Sequence, residues 1–379
     1  MKKLIVLLLV CTLALPLFAG GQRDAAPAPA APVVEEEFDL EALIEAAQAE
    51  GELVAYFTSG RIDAVGNLFE EKYGIRVRGT KMGDPEQAER VIREVDAGNV
   101  QVDVIGFEDG PLLETQLIPR GYVQSWVPPD LKDVISEEDQ NPLVFLWQPR
   151  IFGYNGEVYA DGSPVNNVWE LTEPQWKGKI LIRDPGLTPA HLGFFASMIT
   201  NHQMLEQAYV DLYGRQLVTN EENAGWEFLK RLFQNDIISF RSDSDVGDAV
   251  GSAGQTDPPV GFYVLTKHRD NAAKNLSLTT MQGLQPFMGY ALPTYALIVK
   301  DAPNPNAAKL FVHFILTEGH YPWTGRDIGA FSSNRTIPPH PLNEGTWDEW
   351  TQKLLPVDNV QAMRMRQDIM DFWLEYGAN

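Results

Sequence analysis

Cysteine is nearly absent: the 379 residues contain one, Cys11. It lies in an apolar run over residues 4–18 that follows two lysines and ends at small residues, a pattern typical of an export signal. We therefore predict a signal peptide over residues 1–20. The mature chain would then have no disulfide, thiolate metal ligand or cysteine nucleophile. Lipidation at Cys11 is the alternative, and the bulky Val10 before it disfavours a lipoprotein cleavage site.

Basic residues are also scarce, with 30 Lys and Arg against 52 Asp and Glu, which gives a net charge of −22. Contact with phosphate backbones or anionic lipid needs a basic surface, so the composition disfavours both a nucleic-acid partner and an anionic membrane surface as a partner. The net negative charge of the chain does not predict the charge of a small ligand, because the residues around a buried site set the local electric field.

Sequence motifs for cofactors and catalysis are missing. The chain has no GxGxxG, Walker loop, HExxH or GxSxG, and its six histidines are scattered without metal-ligand spacing. We therefore expect no cofactor, no bound metal and no enzymatic activity. A secreted hydrolase is the alternative from a different functional class, and hydrolysis of candidate substrates by the purified protein would support it.

Apolar patterning beyond the signal predicts an α/β protein. An Ala/Pro-rich and then acidic stretch over 21–37 predicts a solvated tether. Short apolar runs at 53–57, 75–80 and 102–106 predict strands, and the segments between them repeat apolar residues at helical spacing. Alternating strands and helices favour a parallel sheet with right-handed crossovers.

The ends of these strands carry the first candidate ligand-binding residues. Parallel strands bring their carboxyl ends to one crevice, where helix N-termini leave backbone N–H groups free for a ligand. A hydroxyl before a helix can instead cap it, so capping by Thr58 or Ser59 stays an alternative. The candidates here are Thr58, Ser59, Gly60 and Arg61 after the first strand, and Gly106 and Phe107 at the third.

A second strand-to-helix junction lies over residues 179–191. Lys179 to Ile182 has strand length, and Pro185 and Gly186 then force a loop before helical spacing begins. Further candidates come from this junction, from an extended run over 150–154 and from a predicted strand over 259–264. They are Arg183, Thr188, His191, Tyr154, Asn155 and Tyr263.

Five motifs together resemble the family 1 extracellular solute-binding proteins, and within them the ferric-type branch. The motifs are VAYFTSG (54–60), VDVIGFEDG (102–110), FGYNGEVY (152–159), WELTEPQWKGKILIRDP (169–185) and KDAPNPNAAKLFVHFIL (300–316). The resemblance implies a type II periplasmic-binding-protein fold with two lobes, each a mostly parallel sheet flanked by helices, and a ligand cleft between them. Lobe 1 would comprise 38–148 and about 276–325, and lobe 2 would comprise 149–275 and about 326–379.

The same resemblance implies a periplasmic monomer that closes on a small solute and delivers it to an ABC permease and its ATPase. Ferric members of the family use several tyrosines as iron ligands. This sequence departs from that pattern, because it has Ile62 after the first strand and Phe262-Tyr263 where a tyrosine pair would fall. We therefore predict an organic or phosphorylated anion as the solute. Ferric iron, with Tyr263 as the best candidate ligand, and a sensing role beside a membrane receptor are the alternatives.

Overall fold

The structure is a computed structural model that describes residues 38–377. The predicted signal peptide, the tether and Cys11 all lie outside the described residues, as does the end of the chain at 378–379. Among the helices of the described residues, none combines the length and the hydrophobicity that a membrane span requires.

Residues 38–377 form twelve α-helices joined by turns and short 3₁₀ or π segments. In chain order the helices are α1 (Leu40–Glu50), α2 (Arg61–Tyr73), α3 (Asp84–Asp96), α4 (Gly110–Leu112), α5 (Pro189–Thr200), α6 (His202–Tyr213), α7 (Ala224–Phe233), α8 (Asp243–Gly251), α9 (Asp270–Lys274), α10 (Pro305–Ile315), α11 (Trp347–Thr351) and α12 (Asn359–Tyr376).

The strands of the described residues join into one curled sheet. They are β1 (Glu52–Phe57), β2 (Arg76–Lys81), β3 (Val104–Phe107), β4 (Val123–Gln124), β5 (Val144–Asn155), β6 (Ile180–Arg183), β7 (Ile238–Phe240), β8 (Val260–Val264), β9 (Leu278–Thr280), β10 (Gly289–Val299), β11 (Phe331–Ser332) and β12 (Leu354–Leu355). The main path runs β2-β1-β3-β10-β5-β8-β6-β7.

Each end of this path is a small parallel sheet. At one end β1 pairs in parallel with both β2 and β3, as the strand–helix alternation predicts. At the other end β6 pairs in parallel with β7 and β8. The long antiparallel pair of β5 and β10 joins the two ends. This is the two-lobed α/β fold predicted from the sequence, and we call its two ends the first half and the second half.

Apolar burial follows the same division. Two clusters of buried side chains pack around β1 and β3, and they include Phe57 and Phe107. A third cluster packs α5, α7 and α12 against β6 and β8, with Phe194 and Trp169 fully buried in it. Strand β5 contributes to clusters in both halves, since Phe145 packs in the first half and Phe152 in the second.

Three element boundaries differ from the sequence prediction. The crossing strand begins at Val144, although Pro142 and the tryptophans near it suggest irregular chain up to residue 148. Pairing with β10 extends the strand, and such pairing is a long-range contact that local composition does not report. Apolar spacing over 347–355 predicts one helix, but α11 ends at Thr351, and Leu354 and Leu355 instead pair with β10 as β12. The stretch near 276–281 forms β9, which pairs with β5 in the second half.

Candidate functional site

A cavity of about 450 Å³ lies between the two halves, at the carboxyl ends of the strands of both parallel sheets. Its walls are unusually basic for a chain of net charge −22. Four acidic side chains line the cavity, Asp84, Glu108, Asp243 and Asp327. Seven basic side chains line it as well, Arg61, Lys81, Arg150, Arg183, Arg241, Lys267 and Arg269.

Four helices begin at this cavity. The residue before each first helical turn lines it: Gly60 before α2, Gly83 before α3, Thr188 before α5 and Ser242 before α8. Helix N-termini carry unsatisfied N–H groups and a partial positive charge, so each favours an anion. The Thr188 hydroxyl is buried, and no described residue hydrogen-bonds to it. It therefore has an open hydrogen-bonding capacity at the wall of the cavity.

The first half contributes a network that fixes its three strand ends to one another. The Thr58 hydroxyl donates to Glu108 Oε1 at 2.8 Å, and the backbone N–H of Glu108 donates to Asp84 Oδ1 at 2.8 Å. The Ser59 hydroxyl oxygen accepts from the Arg61 backbone N–H at 3.2 Å, but the N-cap residue of α2 is Gly60, and no described side chain caps this helix. Burial raises the pKa of the Asp84 and Glu108 carboxyls, and repulsion from Glu108 raises the pKa of Asp84 further. Protonation of either one makes the cavity more positive.

The second half is built on a buried ion pair. The Arg150 guanidinium donates to both Asp243 oxygens at 2.6 and 2.9 Å, and the Arg150 side chain is 2% exposed. Burial alone would raise the pKa of Asp243, but the charge and hydrogen bonds of Arg150 outweigh it and lower that pKa to about 2. Arg183 lies 3.7 Å from the same carboxylate, too far for a full hydrogen bond. Arg183 is therefore less constrained than Arg150, and it keeps donors free for a ligand.

Three other basic side chains at the cavity have no acidic partner among the residues that the structure describes and are free to contact a ligand. Among residues 38–377, Lys81 and Arg241 make no ion pair and both are exposed at the mouth. Lys267 donates to the Ser244 hydroxyl at 2.9 Å and makes no ion pair with a described carboxylate. Unpaired charges of one sign that converge on a cavity attract a ligand of the opposite sign. The geometry therefore favours an anion.

Asp327 links the two halves at the edge of the cavity. Its carboxylate accepts from Arg61 Nη2 at 2.6 Å and lies 3.4 Å from Arg269 Nη1. Arg61 begins α2 in the first half, and Arg269 follows β8 in the second. This contact ties Arg61 to a protein carboxylate, so Arg61 is a weaker candidate for ligand contact than Arg183.

Six of the twelve predicted ligand-binding residues line the cavity. All six lie at the two predicted strand-to-helix junctions, four of them after β1 and two from the end of β6 to the start of α5. The six are Thr58, Ser59, Gly60, Arg61, Arg183 and Thr188.

Four other predicted residues lie in the protein interior instead. Strand β3 extends to Phe107, whose side chain is fully buried in the core of the first half. At Gly106 a Cβ atom would come within 2.2 Å of the Phe57 ring, so this glycine makes room for packing. Asn155 is fully buried and donates to the Val250 and Ser252 carbonyls at 3.1 and 2.9 Å. Tyr154 is 6% exposed and packs edge-on against Tyr159.

His191 and Tyr263 lie behind the cavity wall. His191 is fully buried with Nε2 3.4 Å from Arg150 Nη1, a position that suits a neutral ring accepting from the guanidinium. Burial, reinforced by repulsion from Arg150, lowers the pKa of His191 well below its usual value, which keeps the ring neutral. Tyr263 is fully buried too, its hydroxyl 3.4 Å from His268 Nε2. Burial raises the pKa of Tyr263, which disfavours the phenolate that a ferric ligand requires.

Sequence reasoning misses most of the basic wall. Arg150 interrupts the otherwise uncharged run VFLWQPRIFGY, and a charged residue inside a buried strand is a usable signal because such a charge is rarely left unpaired. The pattern of Ser242, Asp243 and Ser244 indicates helix capping, and Ser242 does accept from the Asp245 backbone N–H at 3.2 Å. All three also line the cavity. No local pattern indicates Lys267 or Asp327.

The comparisons with known proteins agree with this architecture. The model of the family described as bacterial extracellular solute-binding protein matches residues 58–320, and this chain belongs to that family. The family resemblance predicted from the five motifs is thereby confirmed. No curated protein is a recognisable sequence relative of the chain.

Several solved structures share the fold at low sequence identity. The periplasmic binding protein P5PA is 17% identical with a TM-score of 0.65, over 86% of this chain and 99% of that one. Iron-bound HitA from Pseudomonas aeruginosa is 16% identical with a TM-score of 0.66, over 86% and 99%. AfuA from Actinobacillus pleuropneumoniae, solved with fructose-6-phosphate bound, is 21% identical with a TM-score of 0.64, over 86% and 98%. At these identities the likeness establishes the fold and leaves the ligand open.

Proposed function

We propose that this solute-binding protein captures an organic or phosphorylated anion in the cavity between its halves. The observation that carries the proposal is the excess of basic over acidic side chains that line a cavity at which four helices begin, inside a chain of net charge −22. Charged groups fixed in a partly buried cavity bind an anion more strongly than the same groups in open water. Thr188, Arg183 and Lys267 are the proposed ligand contacts inside the cavity, and Lys81 and Arg241 add positive charge at its mouth.

We further propose that binding closes the two lobes around the solute, and that the closed monomer docks on an ABC permease with its ATPase in the periplasm. The proposed lobes are those given above, 38–148 with about 276–325 and 149–275 with about 326–379, except that β9 brings the stretch near 276–281 to the second half. Hinge closure around a ligand is the established mode of periplasmic binding proteins. The pair β5 and β10 supplies the only long strands shared by the two halves in the described part of the chain, so flexing would occur there. We expect the solute to be released unchanged.

Ferric iron is the second candidate, because HitA has this fold and was solved with iron bound. The cavity walls argue against an iron site of the tyrosine type. No tyrosine of the described residues lines the cavity. Of its carboxylates, Asp243 and Asp327 are held by arginines, so few anionic oxygens are available for a hard cation.

A ligand panel separates the two candidates. We expect phosphate esters or carboxylates to raise the melting temperature of the purified protein, because ligand binding to the folded state alone stabilises it. Tyr263→Phe should leave this stabilisation unchanged, since the Tyr263 hydroxyl lies behind the wall next to His268. Stabilisation by Fe³⁺ alone, lost in Tyr263→Phe, would replace the anion proposal with the ferric one.

A further inference from the structure

A second cavity of about 430 Å³ adjoins the first. Glu108 and Leu292 line both cavities, so the two share a boundary. The second cavity is enclosed by the start of α4 in the first half, by α5 in the second half, and by the segment that carries α11 and β12. Neither the family resemblance nor the proposed anion site assigns a function to this second cavity.

The two cavities have opposite charge. In the described part of the chain, no lysine, arginine or histidine lines the second cavity, whereas four carboxylates do: Glu108, Glu114, Glu138 and Asp139. None of these carboxylates makes an ion pair with a described residue. Their hydrogen bonds come from neutral donors: Thr58 to Glu108, Asn359 to Glu114, and Ser136 and Trp147 to Asp139. Burial raises the pKa of Glu108 and Asp139, so half-buried Glu114 and exposed Glu138 supply most of the attraction for a cation.

The rest of the wall is apolar and aromatic. Trp147 and Trp347 stack with ring centroids 5.1 Å apart and an interplanar angle of 21°, and both line the cavity together with Leu354 and Val357. Tyr290 also lines it, is 2% exposed, and has a hydroxyl without a hydrogen-bond partner among residues 38–377. A buried hydroxyl left unpaired is unfavourable unless a ligand or water satisfies it. Aromatic faces next to carboxylates suit an apolar cation such as an alkylated ammonium group.

We propose that the second cavity binds the apolar cationic end of the same solute whose anionic end occupies the first. The solute class is then a zwitterion, with a phosphate or carboxylate at one end and an alkylated ammonium or cationic ring at the other. This inference rests on the proposed anion site. It narrows that site's solute class, because a purely anionic solute would leave the carboxylates beside Trp147 and Trp347 without a positive countercharge.

Calorimetric titration with two matched probes tests this inference. Phosphocholine carries a phosphate and a trimethylammonium group, and 3,3-dimethylbutyl phosphate has the same shape with a neutral carbon in place of the nitrogen. We expect the wild-type protein to bind phosphocholine about tenfold more tightly, a difference of about 1.4 kcal/mol. The double variant Glu114→Gln, Glu138→Gln should abolish this preference. The amide oxygen that replaces the Glu114 carboxylate can still accept from Asn359, so the local hydrogen bond survives.

Glu137→Gln is the matched control, because Glu137 is an exposed neighbour of Glu138 that does not line the cavity. The control removes one charge from the same turn and should keep the preference for phosphocholine. Equal affinity of the wild-type protein for both probes would overturn the zwitterion inference and leave the anion site standing. A preference that survives in the double variant would also overturn it. Failure of both probes to bind, together with failure of the wider anion panel, would instead overturn the proposed function itself.

Discussion

Replacing Arg183 with glutamine should weaken binding of a phosphate ester or carboxylate by about thirty- to a hundredfold. Arg183 lines the cavity at the end of β6, half-buried, with its guanidinium 3.7 Å from its nearest acidic partner. Hydrogen bonds to charged groups contribute about 1.5 to 3 kcal/mol each, and about 2 to 2.7 kcal/mol corresponds to this loss of affinity. Isothermal titration calorimetry of wild-type and Arg183→Gln protein measures the difference.

The folded state should tolerate this change, because Asp243 keeps both of its hydrogen bonds to Arg150. Arg215→Gln is the control, since Arg215 is exposed and lies away from the cavity walls. It alters the net charge by the same amount and should leave affinity within about twofold, because screening weakens the effect of distant surface charges. Equal affinities in Arg183→Gln and wild-type protein would show that the anion is held elsewhere.

Replacing Asp243 with asparagine should lower the free energy of unfolding by about 3 to 5 kcal/mol, the usual result of removing one partner of a buried ion pair. The Arg150 side chain is 2% exposed, so it would keep an uncompensated charge inside the second half. Chemical denaturation of wild-type and Asp243→Asn protein measures the loss. Asp248→Asn, on the same helix, removes an exposed carboxylate that pairs with Lys274, and should cost less than about 1 kcal/mol.

The same ion pair should respond to acid in a defined direction. The folded state lowers the pKa of Asp243 to about 2 from its ordinary value of 3.8. Its contribution to stability is therefore complete above the unfolded pKa and is lost as the pH falls from about 4 towards 2. The difference in unfolding free energy between wild-type and Asp243→Asn protein should shrink over that interval. A difference that is already absent at neutral pH would contradict the buried ion pair.

Local signals explain which parts of the fold and site the sequence predicts. Strands β1 and β6 are short apolar runs closed by Gly60 or by Pro185 and Gly186, and each is followed by apolar residues at helical spacing. Such punctuation marks the end of a strand and the start of a helix. Residues at those junctions, including Thr58 and Thr188, line the cavity.

The remaining site residues depend on contacts between distant parts of the chain. Arg150 and Asp243 are 93 residues apart, and the packing of α8 against β5, β6 and β8 brings their segments together. Tyr263 does not line the cavity, and a different feature of the sequence explains this. Strand β8 is buried along its whole length, so no alternation of polar and apolar residues indicates which side faces the cavity. The sequence therefore could not show that Tyr263 faces the interior.

The most direct test of the central claim is to identify the solute that the protein retains. Native mass spectrometry of protein purified without dialysis, followed by denaturation and analysis of the released small molecule, gives its mass and charge. We expect an organic or phosphorylated anion, and adding it back to the emptied protein should restore both the bound mass and the higher melting temperature. Release of iron or of an uncharged solute, with full restoration by that species alone, would contradict an anion-binding cavity.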